Sequence, residues 1–244
     1  MQPVRAPATP SATVQIASGQ RSFSLKFPHP DDHIARTIRQ SGTFYEADML
    51  ADLQSRLFFP QVAVDIGAHV GNHTTYFAGV LNLTTYAFEP NPTHFSLLRS
   101  NLEANGLDGH CVLFNVALGA EPGHGAINEA SATNSGMSRV TPAMSGPVEV
   151  TSLDTALPHL ARLDVLKVDV EGSELDVVRG ARETLRRLRP VSYIEITPEN
   201  FGDVQALLAG CGYVCWKRFN ATATFLFLPE ERFGQQERRS ISRV

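Results

Sequence analysis

Residues Val64-Asp65-Ile66-Gly67-Ala68-His69-Val70-Gly71-Asn72 join an apolar run, an acid near its end and two glycines with three residues between them. That order describes a strand that turns tightly and enters a helix, here over residues 72–81. Glycine lets a ligand approach the backbone closely, and a helix N-terminus offers N–H groups that no intrahelical carbonyl takes. Eighteen residues past Gly71, a second apolar run, Tyr86-Ala87-Phe88, ends in Glu89. An acid at the tip of the next strand can accept both hydroxyls of a ribose. Together these features predict a nucleoside-cofactor site at the carboxyl edge of a parallel sheet, built from Asp65, Gly67, Ala68, His69, Gly71, Asn72 and Glu89.

The chemistry of the turn narrows the cofactor. A dinucleotide site usually reads G-x-G-x-x-G, its middle glycine making room for pyrophosphate. Here that place holds His69, which would crowd a pyrophosphate but not a nucleoside without phosphate. S-adenosylmethionine fits: adenosine, a sulfonium and an amino acid, with cationic centres that suit Asp65 and Glu89. A nicotinamide dehydrogenase is disfavoured on the same ground.

A second constellation is Leu166-Lys167-Val168-Asp169-Val170-Glu171-Gly172-Ser173-Glu174. Asp169 falls where another parallel strand should end, on the same edge as Asp65 and Glu89. It is the candidate for steering an acceptor's hydroxyl proton or meeting the cofactor's ammonium. Ser173 and Glu174 have a competing role at a helix N-terminus. A third strand, Tyr193-Ile194-Glu195-Ile196, also ends at an acid. Glu195 stands behind Asp169, and the two could share Mg²⁺, a hard cation that takes carboxylate oxygens. His73 is a further candidate base, and Phe44-Tyr45-Glu46 a segment that closes over the cofactor, with Glu46 in contact.

These residues need a scaffold. The pattern predicts strands at 62–66, 84–88, 111–115, 163–168 and 191–196, with helices at 72–81, 92–104, 173–188 and 199–209 between them. Such alternation implies a parallel sheet with helices on both faces. Residues 213–218 and 222–228 read as a hairpin, hence an antiparallel edge. Upstream, 23–27 reads as a strand, and 31–40 and 46–57 as helices. Residues 1–22, rich in Pro, Ala, Ser and Thr, read as a flexible leader, 120–147 as an irregular loop and 230–244 as a charged, frayed tail. Residues 23–229 form one domain: an N-terminal strand and helices over 23–57, then a core over 58–229.

The totals agree with a single globular domain: 244 residues, 43% hydrophobic, 19% charged, formal net charge −4. That charge leaves no footprint for nucleic acid, and no apolar run approaches the roughly 20 residues of a membrane span. Three cysteines without a secretory leader point to a reducing cytoplasm.

VDIGAHVGNHT, AFEPNPTHFSLLRSNLEANGL, FNVALG, TSLD and LKVDVEGSELDVVRGA, in this order, resemble the FkbM-type family of S-adenosylmethionine-dependent methyltransferases. The resemblance runs from about Phe44 to about Glu195. It implies the class I methyltransferase fold, Rossmann-like, with a mostly parallel seven-stranded sheet and a reversed last strand. It implies that Asp65, Gly67 and Gly71 line the cofactor's methionine end, that Glu89 holds the ribose, and that adenine lies beside Asn115, Val116 and Ala117. It implies O-methylation of a hydroxyl on a sugar or natural-product scaffold. The alternative is a non-catalytic module that binds S-adenosylmethionine or S-adenosylhomocysteine.

Overall fold

The computed structural model describes residues 11–128, 139–143 and 145–232. Its centre is a seven-stranded sheet in the order β12-β13-β11-β10-β3-β4-β5. The strands are β3 (Val62–Ile66), β4 (Thr84–Phe88), β5 (Cys111–Phe114), β10 (Val165–Val168), β11 (Val191–Glu195), β12 (Tyr213–Phe219) and β13 (Thr224–Pro229). The pairs β10–β11, β10–β3, β3–β4 and β4–β5 are parallel, and β13 runs antiparallel to both neighbours. This is the class I methyltransferase topology. The chain winds from β3 through β4 to β5 on one side and resumes with β10 on the other. The switch point therefore lies at β3, where the carboxyl ends of β3, β4 and β10 leave a crevice.

Both faces of the sheet are covered because the strands are apolar at alternate and adjacent positions. Val64, Ile66, Leu166 and Val168 pack with Val177, Val178, Leu185, Val204 and Leu208. Those partners come from α6 (Glu174–Arg179), α7 (Arg182–Leu188) and α8 (Phe201–Ala209). Ala63, Ala87, Val165 and Tyr193 face the other layer, with Leu50, Leu53, Leu98 and Leu102. That layer holds α1 (His33–Ser41), α2 (Ala47–Arg56) and α4 (Pro92–Ala104). α1 is capped by Asp32, whose Oδ1 accepts from Ile34 N at 2.9 Å and Ala35 N at 3.1 Å. Asp32→Ala is expected to cost about 1 kcal/mol, read as a lower denaturant midpoint at unchanged slope.

Five sequence expectations are corrected. Residues 12–22 are not a flexible leader: β1 (Ala12–Ser18) pairs antiparallel with β2 (Arg21–Phe27). Val14, Ile16, Phe23 and Leu25 are buried. The alternation was present, masked by the Pro-, Ser- and Thr-rich composition. Asn101 of α4 ties this hairpin down, donating to Lys26 O at 3.0 Å and accepting from Lys26 N at 2.8 Å. Residues 1–10 lie outside the described residues.

The segment read as an irregular loop, 120–147, contains β7 (Gly123–Asn128) and β8 (Arg139–Pro142), which join the flanking β6 (Ala117–Leu118) and β9 (Val148–Thr151) in a second sheet ordered β6-β9-β7-β8. Its strands are short and partly polar, so period-two patterning is faint. A short helix, α5 (Leu153–Ala156), follows β9. Residues 129–138 and 144 lie outside the described residues.

The helix expected over 173–188 is two helices, broken at Gly180 and Ala181. A Cβ on Gly180 would lie 2.1 Å from Gly119 O, so glycine lets the helix end abut the loop after β6. The helix expected over 72–81 is α3 (Asn72–Thr75) followed by a π-helical turn, Tyr76–Val80. The tail begins anchored: Arg189 donates to Glu231 at 2.8 and 2.6 Å. Residues 233–244 lie outside the described residues.

Candidate active site

The glycine turn after β3 knits three strand ends together. Gly67 N and Ala68 N both donate to Phe88 O at 3.0 Å, and Asp169 N donates to Ile66 O at 2.9 Å. Gly67 has φ +79°, and a Cβ there would sit 1.7 Å from the Asp169 carbonyl oxygen. Glycine is thus required where β3 and β10 converge. Gly71 (φ +96°) serves packing instead: a Cβ would meet Leu98 of α4 at 2.7 Å.

A cavity of about 300 Å³ opens over these ends. Toward β4 and β5 it is lined by Phe88, Glu89, Pro90, His69, His94, Val116, Ala117 and Leu118. Toward β10 and β11 it is lined by Asp169, Glu171, Ser173, Glu195, Tyr45 and Thr222, with His33 and Ile34 of α1. Gly67 lies on its wall between the two halves.

Glu89 is 5% exposed. Its Oε2 accepts from His69 N and its Oε1 from Asn91 N, both at 2.8 Å. A carboxylate oxygen has two acceptor sites, so each keeps one for a ligand hydroxyl. His69 adopts φ +52° to aim its N–H this way. Its ring stands edge-on to His94, with centroids 4.3 Å apart. Burial, then His94 and Lys167, pushes the His69 imidazole well below its usual value. It is a neutral wall of the cofactor half rather than a cation. Asn115 donates to Glu89 O at 2.8 Å and Pro90 O at 3.2 Å, so it shapes the turn, whereas Val116 and Ala117 reach the cavity.

Asp65 does not line the cavity. It is fully buried, one residue before the strand end, and its Oδ2 accepts from Thr74 Oγ1 at 2.6 Å. Its Oδ1 faces Lys167 Nζ at 3.9 Å. Lys167, directly across from Asp65 in the parallel pair, donates to Asp169 Oδ2 at 3.0 Å. Burial opposes the Lys167 charge, but Asp169, Asp65 and Glu46 together raise its pKa. A buried ammonium therefore lies beneath the acidic half of the cavity, a residue whose role sequence reading missed. Its signal was a lysine inside an otherwise apolar strand.

Glu46, Asn72 and His73 also lie off the cavity wall. His73 Nε2 is 3.0 Å from Glu46 Oε2, and Asn220 Nδ2 donates to Glu46 Oε1 at 2.6 Å. Burial works against the Glu46 charge, yet the His73 contact and Lys167 hold its carboxyl below the usual range. Asn72 grips the backbone of Tyr45. Ala68 is buried in the turn.

Three carboxylates converge in the acidic half: Asp169, Glu171 and Glu195 each offer an oxygen, all within 4.8 Å of one another. Burial, reinforced by Asp169 and Glu174, raises the Glu171 carboxyl to about 7. Burial, with Asp169 and Glu171, raises Glu195 to about 8. Sequence spacing showed two of these acids as a pair but not the third. Glu171 arrives through a left-handed turn (φ +54°) after β10. Glu174, by contrast, is buried and takes Gly172 N and Asn200 Nδ2, so it braces that turn. Three hard oxygen donors form a set that suits a divalent cation.

The model of the methyltransferase FkbM domain matches residues 65–215, from the acid of β3 into β12. The chain belongs to the FkbM methyltransferase family. It is 27% identical over 143 residues to the hexuronic acid methyltransferase AglP of Haloferax volcanii, covering 58% of each chain. It is 31% identical over 142 residues to Methyltransferase 1 of Beauveria bassiana, covering 48% of this chain and 57% of that one. The chain thus spans less than two thirds of either FkbM-like relative's length. Among solved structures, a Clostridium thermocellum protein described as a candidate rRNA-methylase aligns with TM-score 0.51 and 9% identity, over 75% of this chain and 93% of that one. That likeness concerns the fold. In this FkbM chain, His33, Ile34, Tyr45 and Thr222 reach the cavity from outside the matched stretch. Among the described residues no helix is long and apolar enough to cross a membrane.

Proposed function

We propose that this FkbM protein is an S-adenosylmethionine-dependent O-methyltransferase acting on a hydroxyl of a sugar or natural-product acceptor. The carrying observation is one cavity that spans the switch point, with Glu89 at one end and three carboxylates at the other. The residues fit the cofactor. Glu89 has acceptor capacity for two ribose hydroxyls. Val116, Ala117 and Leu118 give adenine an apolar slot, and Gly67 lets the methionine portion pass close to the backbone. When bound, the cofactor supplies an electrophilic methyl group. Asp169 receives or steers the acceptor's hydroxyl proton, with Glu195 behind it, and the enclosing walls exclude water. His73, packed against Glu46, acts on the scaffold instead. A pure binding module would need no acids beyond the cofactor half.

The test is calorimetric titration of the whole chain with S-adenosylmethionine, S-adenosylhomocysteine and NAD. Micromolar binding of the sulfur compounds and none of NAD is the expected result. Binding of neither sulfur compound would sink the reading. A second reading, favoured by the convergence of Asp169, Glu171 and Glu195, adds Mg²⁺ at those oxygens. Under that reading chelation with EDTA abolishes methyl transfer and Mg²⁺ restores it, whereas a metal-free enzyme is indifferent to both. Because AglP is a hexuronic acid methyltransferase, the acceptor screen begins with uronates and their neutral and amino counterparts.

A further inference from the structure

Three polar side chains, the buried Asn72 and His73 and the half-buried Asn220, converge on Tyr45 and Glu46. Asn72 Oδ1 accepts from Tyr45 N at 3.1 Å, and Asn72 Nδ2 donates to Tyr45 O at 3.3 Å. The next residue, Glu46, is held in the left-handed region at φ +60°. Asn220 donates to its carboxylate from the turn between β12 and β13, and His73 Nε2 of α3 lies 3.0 Å from it. Non-glycine residues stay in that region only where their surroundings over-determine them, and such places cluster at functional sites. What the brace fixes is the side chain between its two anchors.

That side chain is half-buried and lines the acidic half of the cavity with Asp169, Glu171, Glu195 and Thr222. His33 meets it edge-on, with ring centroids 6.0 Å apart and planes at 83°. Burial, then Glu46, Glu195 and Asp169, pushes the Tyr45 phenol up to about 12, so it remains a neutral hydroxyl donor beside those acids.

We infer that Tyr45 is a specificity-determining residue of the acceptor site, a braced aromatic wall against which a pyranose ring stacks. The inference rests on the methyltransferase reading above. A pyranose presents an apolar C–H face and a rim of hydroxyls. Tyrosine offers an apolar ring with a polar tip, an ionised carboxylate accepts hydrogen bonds from sugar hydroxyls, and a protonated carboxyl such as Glu195 can also donate one. The wall and the acids meet at one end of one cavity, so a single ring can use both. Glu46 and Asn220, like Tyr45, lie outside the matched family stretch, which makes part of this brace a feature of this chain beyond that core.

The test is saturation-transfer NMR on the full chain loaded with S-adenosylhomocysteine. Methyl glucoside, methyl glucuronide and methyl glucosaminide serve as probes of three charges. At least one of them is expected to take up saturation at its ring protons. Tyr45→Leu is expected to weaken that glycoside about tenfold, and Tyr45→Phe, which keeps the face, by less than about threefold. Calorimetric affinity for S-adenosylhomocysteine stays within about twofold of wild type in both. Three results would overturn the proposal: no glycoside engaged by the wild type, a Tyr45→Leu chain that binds the glycoside unchanged, or a parallel loss of cofactor-product affinity. The last would make Tyr45 a cofactor wall. A wild type that binds no S-adenosylhomocysteine defeats the underlying methyltransferase reading instead, and is visible before any glycoside is added.

Discussion

Replacing Glu89 with alanine is expected to weaken S-adenosylmethionine binding by about 1–3 kcal/mol through lost ribose hydrogen bonds. The structure adds a second cost. Glu89 also accepts from His69 N and Asn91 N, so alanine leaves two backbone donors of the turn without these acceptors. Glu89→Gln keeps the shape and one oxygen and should fall between. pH separates charge from shape. Burial, then Asp65 and Asp169, raises the Glu89 carboxyl from 4.5 to about 7, against the pull of its two backbone donors. The folded value lies above the unfolded one. Folding therefore binds the proton more tightly, and this group's contribution to stability falls as pH rises from 4.5 to about 7. A ligand that donates two hydroxyls favours the ionised form, so affinity should rise with pH through about 7. Calorimetry across that window should show the rise in wild type and a smaller one in Glu89→Gln, where Glu171 and Glu195 of the cavity still titrate. A flat wild-type profile with unchanged affinity in Glu89→Ala would remove Glu89 from the ribose.

Glu89 was legible because an apolar run that stops at an acid marks a strand's carboxyl tip. The same logic located Asp169 and Glu195, the strand–turn–helix spacing marked the parallel strands, and the hairpin over 213–228 marked the reversed one. Asp65 shows the limit. It looks like Glu89 in sequence, but Ile66 follows it within the strand. The pleat then turns Asp65 into the buried face opposite Lys167, and a single residue of offset changes a cavity wall into a counterion. His73, Asn72 and Glu46 carry the residue types of a catalytic or binding site, yet they grip one another and the chain. Their partners are Tyr45 and Asn220, which lie 27 and 174 positions away in sequence. No local pattern encodes such contacts. Glu171 depended on a left-handed turn, and the second sheet on strands too short and polar for their period to show.

Asp169→Asn is expected to cut methyl transfer by about 10²–10⁴-fold while changing S-adenosylmethionine affinity far less. Asparagine keeps the size of the side chain and can keep an oxygen toward Lys167 Nζ, 3.0 Å away in the wild type. What it loses is a charge that can take a proton. If Asp169 meets the acceptor's hydroxyl, the loss falls on turnover. If it instead meets the cofactor's ammonium, turnover and cofactor affinity fall together. Stability needs its own control, because Lys167 is buried and loses one of the carboxylates that hold its charge. Asp65 and Glu46 remain to it, so a lowered melting temperature is expected but not unfolding. Glu195→Gln should cost less than Asp169→Asn, since Glu195 stands further from the lysine and is held protonated up to about 8. Single-turnover transfer from methyl-labelled cofactor to the acceptor found in the sugar screen, run beside calorimetry and melting curves, measures all three quantities. Turnover that survives in Asp169→Asn but collapses in Glu195→Gln would move the proton acceptor from β10 to β11.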